Sequence, residues 1–346
     1  MRHLYGSLKF LISDSTKSII MHENNEFKSN HVKIIDFSSI KNLNLPLEEM
    51  YRWTEEVWEQ QDDFILVPKL RMWQGKSGRY MTMPCILPPY DIAGVKFICR
   101  NVDDANGIPA KNSNILLQRC SRHGLVAVMD GTYITTMRTG ACAAFNAIRF
   151  SKQNPQSIAV YGLGVAARAF MMFYTAIYRH PITVKILKYK DQAERFIDRF
   201  GDNPLLHFEV CTSLEELFQS DIIVSCVSYA HNELCPADIY PKGCTIVPVH
   251  TAGFQNCDLV FDRIIVDDVN HVMKYRYYEQ FKDRMVRITD VVNKRGAGRS
   301  SDKERILVYN GGIALHDMYW AMKIEQKIGD DCPKIPMSYP IDRFWL

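Results

Sequence analysis

The 346-residue chain predicts an α/β fold, with a doubly wound parallel sheet joined to a second half of α+β character. Three observations predict it. From Thr132 onward, short apolar strands alternate with helical stretches. Before Thr132, five short β-branched and aromatic runs follow one another with no helix between them, as in an antiparallel sheet. A glycine turn at residues 162–167 lies between an apolar strand and a long apolar helix.

The elements follow in order. Residues 1 to about 45 are polar and irregular, with strand-like pieces such as Val32–Phe37. Leu47–Gln60 puts Met50, Trp53 and Val57 on one face, a helical spacing. The strand runs are Phe64–Val67, Tyr80–Met83, Val95–Cys99, Ile115–Gln118 and Leu125–Met129, and Asp130-Gly131 is a turn signal. An Ala-rich helix is expected over Ile134–Phe150, then a strand at Ser157–Tyr161, the glycine turn and a helix to Tyr178. Ile182–Leu187, Phe208–Cys211, Ile222–Ser225, Thr245–Pro248 and Ile264–Val266 read as strands, and Gln192–Phe200 as a helix. Ile313–Lys327 closes the pattern as a helix with Ala314, Met318, Ala321 and Ile324 inward.

Composition narrows the function. With 47% hydrophobic and 23% charged residues the chain can bury ordinary cores. A net charge of +3 gives no reason to expect a nucleic-acid or membrane partner. No two of the ten cysteines form a CxxC pair, so no metal site is expected, and reduced thiols in a cytoplasmic protein are the better reading. The first residues carry too short an apolar run for a signal peptide. The longest apolar run, Ala169–Tyr178, is about half a membrane span.

Gly162-Leu163-Gly164-Val165-Ala166-Ala167 is the GxGxxA form of the dinucleotide fingerprint. Gly162 permits the tight turn, Gly164 lets a pyrophosphate approach the backbone, and the helix start offers N–H groups to the phosphates. A Rossmann half that binds NAD(P) is the expectation. The second strand ends in Lys188-Tyr189-Lys190-Asp191, with no acid directly at its end. Lys188 and Lys190 tilt the reading slightly toward NADP, because a cation suits a ribose 2′-phosphate. Two solvated lysines, or Asp191 serving as the ribose acid, are the competing readings.

Three cations outside that half are candidates for holding a carboxylate: Lys96 inside an apolar strand, Arg138 near a helix start, and Arg71. A lysine in an apolar strand also has its pKa lowered into a range useful for proton transfer. The alternatives are an edge-strand lysine in water, a structural ion pair at Arg138, and a solvated loop arginine.

The order of several stretches resembles the ornithine cyclodeaminase/mu-crystallin family. They are Met83-Pro84, Ala93–Lys96, Ala127–Gly131, Ile134-Thr135, Met137–Ala141, the GxGxxA turn and Gly312–Asp317. The resemblance covers about residues 64 to 325. It implies that Lys96 and Arg138 hold the substrate carboxylate, with Arg71 or Lys69 as a third cation. It also implies that Thr139 and the turn from Gly162 through Leu163, Gly164 and Val165 to Ala166 contact the cofactor. Gly107-Ile108-Pro109-Ala110 is similar to a G-x-P-T element whose threonine lies near the nicotinamide; Ala110 replaces it, and Asn114 is the proposed stand-in. Ser225, Val227 and Gly312 complete the candidate cofactor contacts. A homodimer through the sheet half is implied by the resemblance.

Two departures concern chemistry. Met81 stands where the family's cyclodeaminases carry a glutamate for the distal amine. The loop after Thr245–Pro248 offers no acid before Asp258, only His250 as a titrating group. The expected function is therefore an NAD(P)H-dependent imine reductase or amino-acid dehydrogenase, opine-like dehydrogenases included. Lys96 or His250 would move the proton, and a small amino-acid, keto-acid or imine would be the substrate. The alternatives are a cyclodeaminase-like lyase with bound NAD and a non-catalytic NADPH-binding protein. Two domains are expected: residues 1–139 with 312–346 for substrate and dimerisation, and 140–311 for the cofactor.

Overall fold

The computed structural model describes residues 27–75, 78–101, 109–121, 124–227, 230, 232–249 and 252–340. Two eight-stranded sheets organise the chain.

The first sheet contains β1 (Phe27–Ile35), β2 (Ile65–Leu66), β3 (Leu70–Gln74), β4 (Gly78–Leu87), β5 (Ile92–Asn101), β6 (Lys111–Arg119) and β7 (Leu125–Asp130), with the C-terminal strand Lys334–Pro340. β3 to β7 pair antiparallel, as the uninterrupted strand runs predict. β1 departs from this rule and pairs parallel to β7, while its other edge takes the C-terminal strand antiparallel. The sheet has one buried face and one open face, and side chains alternate between them. Met83, Cys85, Lys96, Ile98, Ser113, Ile115 and Leu117 are buried on the inner face, while Phe97 and Leu116 stay 40% and 42% exposed on the outer one.

Three helices cover the inner face: α1 (Leu47–Gln60), α2 (Thr132–Phe150) and, near the C-terminus, Ala314–Ile328. Trp53 meets Trp320 edge to face at 5.5 Å. The apolar stripe read from Met50, Trp53 and Val57 is the face that buries.

The second sheet runs β10–β9–β8–β11–β12–β15–β13–β14 and is parallel throughout. Its strands are β8 (Ser157–Tyr161), β9 (Ile182–Leu187), β10 (Leu206–Cys211), β11 (Ile222–Ser225), β12 (Thr245–Pro248), β13 (Arg263–Val266), β14 (Met285–Arg287) and β15 (Ile306–Tyr309). The first five sit in the 3-2-1-4-5 order of a dinucleotide-binding sheet. β8, β11, β12 and β15 are apolar runs because both faces are covered. The helix after the glycine turn, α3 (Val165–Ile177), packs on α2 and joins the same core. The last long helix, Ala314–Ile328, is α4 here.

All ten cysteines are free thiols. Among the described residues no helix is long and apolar enough to cross a membrane.

Candidate active site

The carboxyl ends of the parallel strands face the inner side of the first sheet, and the predicted cations converge there. Lys96 lies on β5 opposite Met83 and Ile115, under the first turn of α4. Arg138 lies on α2. Both reach Asp317, which is fully buried. Lys96 Nζ is 2.5 Å from Asp317 Oδ2, and Arg138 Nε donates to Oδ1 at 2.9 Å. Lys96 is therefore not an edge lysine in water, and the ion pair at Arg138 is made with an acid inside the cleft.

Burial pushes the Lys96 ammonium down to about 7, more strongly than Asp317 holds it up. Burial pushes Asp317 up as well, but Arg138 and Lys96 outweigh it and keep the carboxyl ionised below its ordinary range. Next to Asp317, the His316 ring packs 4.3 Å from Trp58, and burial depresses it to about 3, so it stays neutral.

A second acid, Asp267, directly follows β13. Its carboxylate accepts from Gly312 N–H at 2.7 Å and faces His271 Nδ1 at 3.1 Å. This fixes the turn after β15. Lys69 donates to Gly311 O at 2.5 Å and to Gly312 O at 3.4 Å, and burial lowers its ammonium to about 8. Gly312 has φ +79, and a Cβ there would come within 3.0 Å of the Arg138 guanidinium. The turn, Lys69 and Arg138 thus form one packed unit.

The remaining predicted positions fall as follows. Arg71 is exposed on β3 opposite Met81, and both side chains lie on the Lys96 side of the sheet. Met81 adds no charge there. Asn114 does not reach this cleft: its register partners, Phe97 and Asp130, put it on the outer face. Counting parity from Lys96 would have excluded it, had the pairing been known. Ser113, one residue earlier, does face inward and contacts Thr135 Oγ1 at 3.1 Å. His250, Gly107 and Ile108 lie outside the described residues. Asp258 does not replace the missing loop acid, because it is buried and accepts from Tyr309 Oη at 2.7 Å.

The cofactor turn has the required shape. Gly162 has φ +84, and a Cβ on it would sit 2.7 Å from the Val227 backbone. Gly164 borders open space, Val165 is 63% exposed, and no side chain caps α3, whose first N–H groups are left for an anion. Leu163 is buried and contributes only backbone. Ala166 follows on the first turn of α3, and Ser225 ends β11 level with Tyr161, the last residue of β8. Thr139 bonds back to Thr135 O at 2.6 Å. Lys188 is exposed just past β9, whereas Asp191 pairs with Arg195 at 2.7 Å. These residues fit a dinucleotide whose pyrophosphate rests on the α3 N-terminus.

A cavity of about 820 Å³ adjoins the cleft between β5–β6, the start of α2 and the start of α3. Ile98, Lys111, Ser113, Thr136, Val165 and Arg168 are among its walls. Lys111 and Arg168 in its wall were not singled out from the sequence.

The family model described as ornithine cyclodeaminase/mu-crystallin matches residues 32–331. A Delta(1)-pyrroline-2-carboxylate reductase of Colwellia psychrerythraea is 22% identical over 334 residues, covering 90% of this chain and 98% of that protein. An N-((2S)-2-amino-2-carboxyethyl)-L-glutamate dehydrogenase of Staphylococcus aureus is 22% identical over 277 residues, 72% of this chain and 79% of that one. Among solved structures, an archaeal alanine dehydrogenase dimer with bound NAD superposes with a TM-score of 0.78 at 20% identity, covering 88% of this chain and 99% of that chain. The fold, the glycine turn and the Lys96–Asp317–Arg138 centre thus arrive together with a match across most of the length, and the chain belongs to the ornithine cyclodeaminase/mu-crystallin family.

Proposed function

We propose that this protein is an NAD(P)H-dependent oxidoreductase that reduces a C=N bond, or oxidises the matching C–N bond, beside a carboxylate. The observation that carries this reading is the buried Lys96–Asp317–Arg138 cluster facing the carboxyl ends of the parallel strands. When bound, the nicotinamide supplies or accepts hydride. Arg138 and Lys69 orient the substrate carboxylate, with Arg71 at the mouth. Asp317 holds Lys96 and Arg138 in place. Lys96, poised near neutrality, gives a proton to the imine nitrogen or takes one from the amine. Burial of Lys96 and Asp317 under the covering helices keeps bulk water from the reacting carbon.

The test is a turnover screen with NADPH and NADH against cyclic imino acids and against keto acids plus amines. Steady loss of nicotinamide absorbance is expected. Ammonia release from ornithine with no net absorbance change would establish the lyase reading instead. A larger thermal shift with NADPH than with NADH is expected from Lys188; equal shifts would remove that preference.

The same reading includes two domains, 1–139 with 312–346 and 140–311, and a cytoplasmic setting suited to free thiols. It also includes a homodimer through the outer face of the first sheet, where Phe97 and Leu116 are exposed. A sedimentation experiment giving the mass of one chain would refute the dimer.

A further inference from the structure

Three cations lie side by side at the far end of the inner face. Register pairs Arg79 on β4 with Arg100 on β5, and Arg100 with Lys111 on β6. They share the face of Lys96, because residues 96, 98 and 100 alternate to the same side. Neighbours directly across a sheet stand close together, and like charges in those positions repel. Among the described residues no carboxylate forms an ion pair with any of the three. Arg79 rests over the Trp73 ring at 5.5 Å, and its Nε is buried without a hydrogen-bond partner. Lys111 lines the adjoining cavity.

The row belongs to a larger imbalance. Burial, Arg100 and Arg71 depress Arg79, and the repulsion on Lys111 comes from Arg138, Arg100 and Arg79. Arg71 and Arg138 act in turn on Lys69. Against these linked cations the cleft offers, among the described residues, only Asp317 and Asp267, both already engaged. One substrate carboxylate at Arg138 would leave the far row uncompensated. A fold keeps aligned, unpaired cations at a cost to its own stability, and a bound anion offsets that cost.

We propose that Arg79, Arg100 and Lys111 receive a second carboxylate, so that the substrate is an amino, keto or imino diacid and not a monoacid. This rests on the carboxylate-binding reading of Arg138 given above. Lys96 and Arg100 are four residues apart on one strand, about 13 Å between backbones. The long guanidinium arms shorten that span, which suits a diacid at least as long as 2-oxoglutarate. Arginine binds each carboxylate through paired N–H donors, and the hydrophobic Met81 and Ile98 between the two ends match a methylene linker.

The test compares 2-oxoglutarate with 2-oxopentanoate by calorimetry on cofactor-saturated protein at low salt, with inorganic phosphate as a third arm. The diacid is expected to bind at least about tenfold tighter, the effect of roughly one charged hydrogen bond. In Arg100→Gln and Arg79→Gln that ratio should collapse to within about twofold, while the variants melt no lower than the parent because a repulsion has been removed. Equal binding of the two acids, an unchanged ratio in both variants, or phosphate binding as tightly as the diacid would overturn the proposal. The measurement needs no turnover. A diacid preference without any hydride transfer would count against the oxidoreductase reading alone, and hydride transfer without the preference would count against this one alone.

Discussion

Asp317→Asn is expected to lose about 3–5 kcal/mol of folding stability, because it leaves Lys96 and Arg138 buried without a counter-charge. The urea midpoint at neutral pH reads this directly. The deficit should shrink only as pH rises toward about 7. Below that value the folded parent still holds the Lys96 proton, while the variant, without the carboxylate that favours the ammonium, has released it, so the variant alone takes up a proton on unfolding. Above about 7 both chains take up that proton on unfolding and the deficit stays level. A deficit below about 1 kcal/mol would mean that the carboxylate contributes no more than an exposed pair. Activity should fall with stability even at temperatures where the variant stays folded, since Arg138 loses the contact that orients it.

Lys96→Met should lower kcat/KM by about two to four orders of magnitude, the usual contribution of a placed proton donor. The pH dependence gives the sharper readout. In reduction the ammonium form is the acid, so the rate falls as pH rises through about 7. In oxidation the free amine is the base, so the rate falls as pH drops through the same value. Met and Arg at this position should each erase that limb, Met by removing the group and Arg by holding it permanently charged. If the limb near 7 survives in both variants, another group moves the proton. The parent's own stability should rise with pH between about 7 and 10.5, because over that range the unfolded chain holds the Lys96 proton that the folded chain has released.

Much of this was legible in the residue order. The parallel strands stand out because burial on both faces makes them short apolar runs, as in Ile222–Ser225 and Thr245–Pro248. Leu70–Gln74 was hidden, because every side chain in it is exposed and no alternation marks it. The C-terminal strand carries Pro336 and Pro340 and survives only as an edge pairing with β1, a place where missing N–H donors are tolerated. Lys96 was visible as a charge inside an apolar strand. Asp317 carried the same signal, since it lies on the inward stripe of Ala314, Met318 and Ala321, where an acid requires a cation. The row of Arg79, Arg100 and Lys111 could not be read, because residues 21 and 11 apart become neighbours only once strand pairing is fixed.

The helix Thr132–Phe150 runs unbroken from the first sheet to the second, and the return passage is the turn at Gly311-Gly312. These are the two places where the chain passes between the halves. Arg138 sits in one and touches the other. The ionic centre therefore sits where the chain crosses between its two sheets, so a change at Arg138 is felt at both crossings at once.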